Sequence, residues 1–189
     1  GAEVHLHEIF KRIATMGHSV TLVCCEVPGE PNDEILDGIK IMRRGNRNTF
    51  NFKVPKLYKR HFMNEGFDVI IDDVNKIPFY LPLFIGKKLL VISHHFFWKS
   101  IFRETNFIAG LYVVIAERLV NYIYKNHPIV TVSQSTKDEF INRGFDEERI
   151  AIVHNAIDQS QYPMAVGEKN SNFTITYFGR IKKYKTVDN

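Results

Sequence analysis

The sequence predicts an α/β fold in which a mostly parallel sheet carries helices on both faces, over residues 1 to about 160. Strand patterns and helix patterns alternate along the chain, which is the order that builds a parallel sheet with crossover helices. Several strands are almost continuous apolar runs, which are typical of strands buried on both faces. With 189 residues and 44% hydrophobic content, the chain is long enough for one core and the start of a second.

The first half of the chain contains one clear helix–strand unit. Leu6, Ile9, Phe10 and Ile13 recur at helical spacing, and Gly17 suits the left-handed cap that ends a helix. The elements predicted after this helix are a strand over Ser19–Cys25, a short strand over Gly38–Met42 within the loop-rich stretch Pro28–Asn51, and a basic, aromatic helix over Lys53–Met63.

The second half alternates strands and helices more regularly. Ser135–Asp138 offers N-capping oxygens for a helix that ends at Gly144. Strands are predicted over Phe67–Asp73, Leu89–Ser93, Ile129–Ser133 and Ile150–His154, and helices over Pro78–Phe84, Glu104–Asn126 and up to Arg143. A polar linker without periodicity follows over Gln159–Asn172, and the alternating run Phe173–Phe178 predicts one more strand.

Composition excludes several classes of protein. The net charge of +4 fits anionic ligands or an anionic membrane surface, but the cations are too dispersed for a dedicated nucleic-acid protein. Cys24 and Cys25 are neighbours in a predicted strand and point to opposite faces, so we expect reduced thiols and a cytoplasmic location. We expect no signal peptide, and Glu117 and Arg118 interrupt the apolar run Phe107–Tyr124, which argues against a membrane span.

A basic turn follows the last predicted strand. The strand ends at Gly179, and Arg180, Lys182, Lys183 and Lys185 come directly after it. In open α/β sheets ligands gather at the carboxyl ends of strands, where guanidinium and ammonium groups can hold a phosphate. The spacing fits an anion site and a solvated turn equally well.

Two histidines follow another predicted strand. His94 and His95 stand at the carboxyl end of Leu89–Ser93, where a neutral imidazole can donate to a hydroxyl or pair with a phosphate. The alternative is that both side chains bond to nearby backbone. His5 and His7 lie about 200° apart on a helix, so they cannot share one metal ion.

Motifs along most of the chain resemble those of the retaining, GT-B-type glycosyltransferases of family 4 (glycosyltransferase group 1). The matching segments are Gly1–Glu3, Gly17–Thr21, Thr131–Lys137, Gly144–Phe145, Ile152–Asp158 and Gly179–Lys185. Two positions depart from the usual pattern, because Ala156 and Thr186 stand where the family usually has glycine. On this resemblance, the predicted sheet is expected to be Rossmann-like.

The resemblance implies a hexosyltransferase that moves a sugar from a nucleotide diphosphate sugar to an acceptor hydroxyl with retained configuration, in glycan or glycolipid synthesis. It places Arg180 and Lys185 on the departing diphosphate and His94 beside the transferred sugar, as catalytic residues. The loop at Gly1 would contact the donor phosphate or the acceptor, and the other implied binding residues are Glu3, His95, Asn155 and Gly179. No cofactor and no divalent metal is expected.

The resemblance also implies a domain organisation. Residues 1–158 would form the N-terminal, acceptor-side domain without its first strand, 159–172 a linker, and 173–189 the beginning of the donor-binding domain. On this interpretation the chain is a fragment that is inactive alone. Its expected partners are the nucleotide sugar and a sugar or lipid-linked acceptor, with no nucleic acid. Peripheral contact with the inner face of the membrane is a further expectation.

Two other functions stay open. A non-hydrolysing sugar-nucleotide epimerase shares the two-domain fold but forms no glycosidic bond. A non-catalytic α/β module could instead bind a membrane surface or a partner through Lys53–Arg60, a stretch that is otherwise read as a solvated amphipathic helix.

Overall fold

The computed structural model describes residues 2–74, 77–86, 88–160, 167, 171–177 and 179. It is an α/β structure built from four α-helices and seven β-strands within those residues. The helices are α1 (Ala2–Thr15), α2 (Phe50–Leu57), α3 (Phe107–Ile123) and α4 (Gln134–Asn142). The strands are β1 (Val20–Cys24), β2 (Asp33–Leu36), β3 (Ile39–Arg43), β4 (Ile70–Val74), β5 (Leu89–Ser93), β6 (Ile129–Thr131) and β7 (Ile150–Ile152).

The strands form two sheets. The larger sheet has the order β4-β5-β6-β7 and is parallel throughout, which confirms the predicted parallel sheet. The smaller sheet has the order β1-β3-β2, in which β1 pairs with β3 in parallel and β2 pairs with β3 antiparallel. The connection from β5 to β6 contains α3 and the connection from β6 to β7 contains α4, as in other α/β folds.

The antiparallel strand β2 was not predicted. It pairs Leu36 with Ile39 across a two-residue turn at Asp37 and Gly38, which have φ values of 51° and 80°. Asp-Gly is the sequence that such a hairpin turn favours, because both positions need a positive φ. The loop-rich interpretation of Pro28–Asn51 was therefore wrong over β2.

The core lies against the four-stranded sheet, as the apolar strands require. Leu89 and Val91 of β5 are buried, and Val120 and Tyr124 from the α3 segment are at most 1% exposed. Phe140 of α4 is fully buried. Burying one such side chain contributes roughly 1.5–3 kcal/mol relative to leaving it exposed, so this cluster supplies much of the stabilisation of the sheet.

Several predicted helices begin or end elsewhere in the structure. The helix predicted from Glu104 begins at Phe107, because the Asn106 side chain accepts a hydrogen bond from the Ala109 amide and caps it. Pro78–Phe84 contains only one 3-10 turn, Leu81–Leu83. The helix predicted at Lys53 begins at Phe50 and continues as a π-helical turn, Tyr58–Phe62.

The end of the chain gives one further correction. Residues 173–177, the described part of the strand predicted over Phe173–Phe178, form no strand, and Phe173 is 92% exposed. A strand requires a neighbour to satisfy its backbone groups, and none of the seven strands pairs with this segment. Most of the predicted linker, 161–166 and 168–170, lies outside the described residues.

Candidate functional site

The candidate site lies at the edge of the larger sheet where its parallel strands end. In register, Val74 of β4 pairs with Ser93 of β5, and Ser93 pairs with Thr131 of β6. His94 follows directly after Ser93, so it lies close to the carboxyl end of β4. Ligands of open α/β sheets bind outside this edge.

His94 is paired with an acidic residue of β4. Its Nε2 atom lies 3.4 Å from Oδ1 of Asp73, and the two side chains are 11% and 22% exposed. Neither of these two atoms has a hydrogen-bond partner among the described residues, although both are buried. Buried polar atoms are normally hydrogen-bonded, so this pair is a place where a ligand hydroxyl would be satisfied.

His5 brings the first helix to the same place. Its ring meets the ring of His94 edge-on, with the ring centroids 5.2 Å apart. Both ring nitrogens of His5 are buried and without a hydrogen-bond partner among the described residues. Burial lowers the pKa of His5, and the neighbouring His94 lowers it further, so His5 is neutral at pH 7.

His7 lies on a different side of α1 from His5, as their predicted angular separation on the helix requires, and it has a different partner. Its Nε2 atom lies 2.9 Å from a carboxylate oxygen of Asp37, at the turn between β2 and β3. Among the residues that the structure describes, no three histidine, cysteine or acidic side chains are arranged to hold a metal ion.

The backbone at His94 is held by the start of α4. The Thr136 hydroxyl donates a hydrogen bond of 3.1 Å to the His94 carbonyl, and Thr136 is 5% exposed. The Thr136 amide in turn donates to the hydroxyl of Ser133, which is the N-cap of α4. The capping residue was predicted two positions later, at Ser135. This network fixes the exit of β5 relative to β6.

Glu117 anchors the loop beyond His95. This residue of α3 is 3% exposed, and its two carboxylate oxygens accept hydrogen bonds from the backbone amides of Phe97, at 2.6 Å, and Trp98, at 2.8 Å. Burial raises the pKa of Glu117, and the two amide donors act in the opposite direction. From the sequence, Glu117 is noticed only because it interrupts an apolar run. Nothing in the local sequence pattern indicates that it anchors a loop.

A second buried carboxyl lies next to Asp73 on β4. Asp72 is fully buried, and it accepts a hydrogen bond from the Tyr124 hydroxyl at the end of α3. Burial raises the pKa of Asp72 to about 7, and Asp73 contributes to the same shift. The two neighbouring carboxyls therefore lie in different environments: Asp73 faces the candidate site, and Asp72 faces the core.

The structure describes some of the other predicted site residues and not others. His95 is exposed, and its ring centroid lies 4.5 Å from that of Phe97. Glu3 is exposed in the first turn of α1, and Asn155 is exposed after β7. Gly179 is exposed beside Tyr177. Gly1, Arg180 and Lys185 lie outside the described residues, so their predicted roles stay predictions.

Fold and site together define an α/β domain with a polar site at the carboxyl edge of a parallel sheet. The family model described as Glycosyltransferase Family 4 matches residues 1–161. The chain therefore belongs to glycosyltransferase family 4, as its motifs predicted, and its function is of the glycosyltransferase type. No curated protein and no solved structure matches the chain.

Proposed function

We propose that the protein transfers a hexose from a nucleotide diphosphate sugar to an acceptor hydroxyl, with retention of configuration, in glycan or glycolipid synthesis. Family membership supports sugar transfer in general terms. The observation that carries the proposal within this chain is the pairing of His94 with Asp73 at the carboxyl edge of the sheet. Both residues lie within the matched range 1–161.

His94 and Asp73 suit the binding of a sugar hydroxyl. The imidazole can donate a hydrogen bond from Nε2, and the carboxylate can accept one at Oδ1. These two atoms are unpartnered among the described residues and lie 3.4 Å apart. A hydroxyl both donates and accepts, so one sugar hydroxyl can bond to both groups at once. In this proposal His94 and Asp73 both contact the transferred sugar.

His5 fills the space next to the His94 ring, and burial lowers its pKa, which favours the neutral imidazole. The proposal assigns the developing negative charge of the diphosphate to Arg180 and Lys185. Fixed cations at the place where negative charge develops stabilise the transition state more than the ground state. They therefore lower the activation barrier.

A panel of sugar nucleotides offered to the full-length protein tests this function, with release of the nucleoside diphosphate as the readout. One donor should give release, and Arg180→Ala should reduce the rate about 100-fold or more. His94→Ala should reduce it about 10- to 100-fold, as expected for a lost hydrogen bond to a bound group. His127→Ala is the matched control, because this partly buried histidine precedes β6 at the opposite edge of the sheet and should leave the rate unchanged.

Two outcomes would contradict the proposal, and a third would contradict the expectation that no divalent metal is needed. Release that EDTA abolishes would show that a divalent metal is required. A product without a glycosidic bond would indicate the epimerase reaction. A folded protein that binds and turns over none of the donors would favour a non-catalytic binding module.

A further inference from the structure

The outer face of α3 is unusually apolar for an exposed surface. Eight residues of this helix are exposed, and seven of them are apolar or aromatic; Arg118 is the exception. We call the seven the α3 face: Phe107, Ile108, Leu111, Tyr112, Ile115, Leu119 and Tyr122. Its members range from 42% to 81% exposed. Large contiguous apolar surfaces of this kind mark sites of interaction.

The α3 face is one continuous stripe along the helix. A helix of 17 residues is about 25 Å long, and the seven side chains are spread from its first residue to its last turn. The opposite side of the same helix contributes Val113 and Val120 to the interior. The apolar content of the α3 face is therefore additional to what the core requires.

Charges around the α3 face favour an anionic partner. Lys99 and Arg103 precede the helix, Arg118 lies on it, and Lys125 follows it, all of them exposed. Glu104 is the one exposed acidic residue between Trp98 and Asn126, since Glu117 is buried. This segment therefore presents a net charge of +3 from its exposed side chains, four cations against one anion.

We propose that the α3 face docks on an anionic lipid surface, with the helix lying in the plane of the membrane. A helix with an apolar, aromatic side and flanking lysine and arginine residues binds the boundary between headgroups and acyl chains. A two-fold dimer through the same face is disfavoured, because it would bring two surfaces of like charge together. The helix lies on the membrane and does not cross it, since no described helix has the length and apolarity for a span.

This location differs from the one that the sequence suggested. The exposed residues of the α2 segment are mainly cations, including Lys53, Lys56, Lys59 and Arg60, with Phe52 as its one strongly exposed large apolar side chain. Such a surface can attract an anionic membrane electrostatically but offers little area for insertion. The α3 segment supplies both the cations for electrostatic attraction and the apolar area for insertion.

Vesicle binding by the protein provides the test, and it does not depend on any transfer activity. Trp98, the only tryptophan in the sequence, is 37% exposed just before α3, so its emission reports docking directly. With vesicles of phosphatidylcholine and phosphatidylglycerol at 7:3, we expect sedimentation with the vesicles, a blue shift, and quenching by brominated acyl chains. Binding to vesicles of pure phosphatidylcholine should be at least about tenfold weaker, because each cation near an anionic surface contributes roughly fivefold.

Matched variants locate the contact. Ile108→Ser/Tyr112→Ser/Ile115→Ser should reduce binding at least about tenfold while leaving the melting temperature near the wild-type value, because all three side chains are exposed. Arg118→Glu should weaken binding to the anionic vesicles alone. The controls are Phe52→Ser on α2 and Lys56→Glu/Lys59→Glu on α2 and the π-helical turn that follows it, and Phe52→Ser should have no effect.

The proposal is overturned by three results. The first is loss of binding in the α2 charge variant with full binding in the triple α3 variant. The second is a dimer that the triple variant dissociates, in a protein that binds no vesicles. The third is a monomer that binds neither kind of vesicle.

Discussion

Asp72→Asn should remove a pH dependence of stability that the buried carboxyl creates. The folded protein holds the Asp72 proton more tightly than the unfolded chain does, since the pKa rises from 3.8 to about 7 on folding. A carboxyl whose folded pKa is raised contributes stability that is fully present below the unfolded pKa and is lost as the pH rises through the folded pKa. The wild-type protein should therefore become less stable between about pH 4 and pH 7.

The magnitude follows from the size of the shift. Stability changes by about 1.4 kcal/mol for each pH unit over which the folded protein holds one proton more than the unfolded chain. Between pH 5 and pH 7.5 the Asp72 carboxyl should therefore cost about 3 kcal/mol of unfolding free energy. Asparagine cannot ionise, so the variant lacks this change while keeping an oxygen that can accept from Tyr124.

Urea unfolding followed by circular dichroism at several pH values measures the effect. The difference in unfolding free energy between variant and wild type should grow by about 3 kcal/mol from pH 5 to pH 7.5. Other titrating groups, such as Glu117, contribute to both proteins and cancel in the difference. Tyr124→Phe is the control: it removes a donor to the carboxylate, so the stability loss should extend to higher pH. Parallel pH profiles for wild type and Asp72→Asn would refute the reasoning.

Two further substitutions test how the site is supported. Glu117→Gln should destabilise the protein by about 1–3 kcal/mol and speed hydrogen exchange at the two backbone amides bound by the carboxylate, because a side-chain amide offers only one acceptor oxygen. Unchanged exchange there would show that the carboxylate is no anchor. Gly110→Ala should cost about 1–3 kcal/mol, since its Cβ would lie 2.6 Å from the Phe102 ring; Gly66→Ala, with open space around it, should be nearly neutral in the same melts.

Local pattern was sufficient to predict most of the larger sheet. The strand at Leu89 is an apolar run whose burial depends on little more than its own composition, and Gly144 adopts the positive φ expected where α4 ends. The failures arose where a partner decides the structure. The run 173–177 alternates like a strand, yet no strand of the two sheets pairs with it.

The candidate site was predicted only in part. His94 was found by its place after an apolar strand, and the same rule applied to the strand Phe67–Asp73 would have found Asp73. His5 could not be found in this way, because its position on α1 does not reveal which strand the helix packs beside. Glu117 looked like a charge on an apolar helix, and its role depends on a backbone segment 20 residues away.

The anomeric configuration of the product tests the central proposal most directly. With the donor that supports release, proton NMR of the early product reports the configuration at the transferred carbon before any equilibration. The product should have the same anomeric configuration as the donor, and His94→Ala should slow its formation without altering that configuration. An inverted product, or a released sugar nucleotide that is only epimerised, would contradict the account.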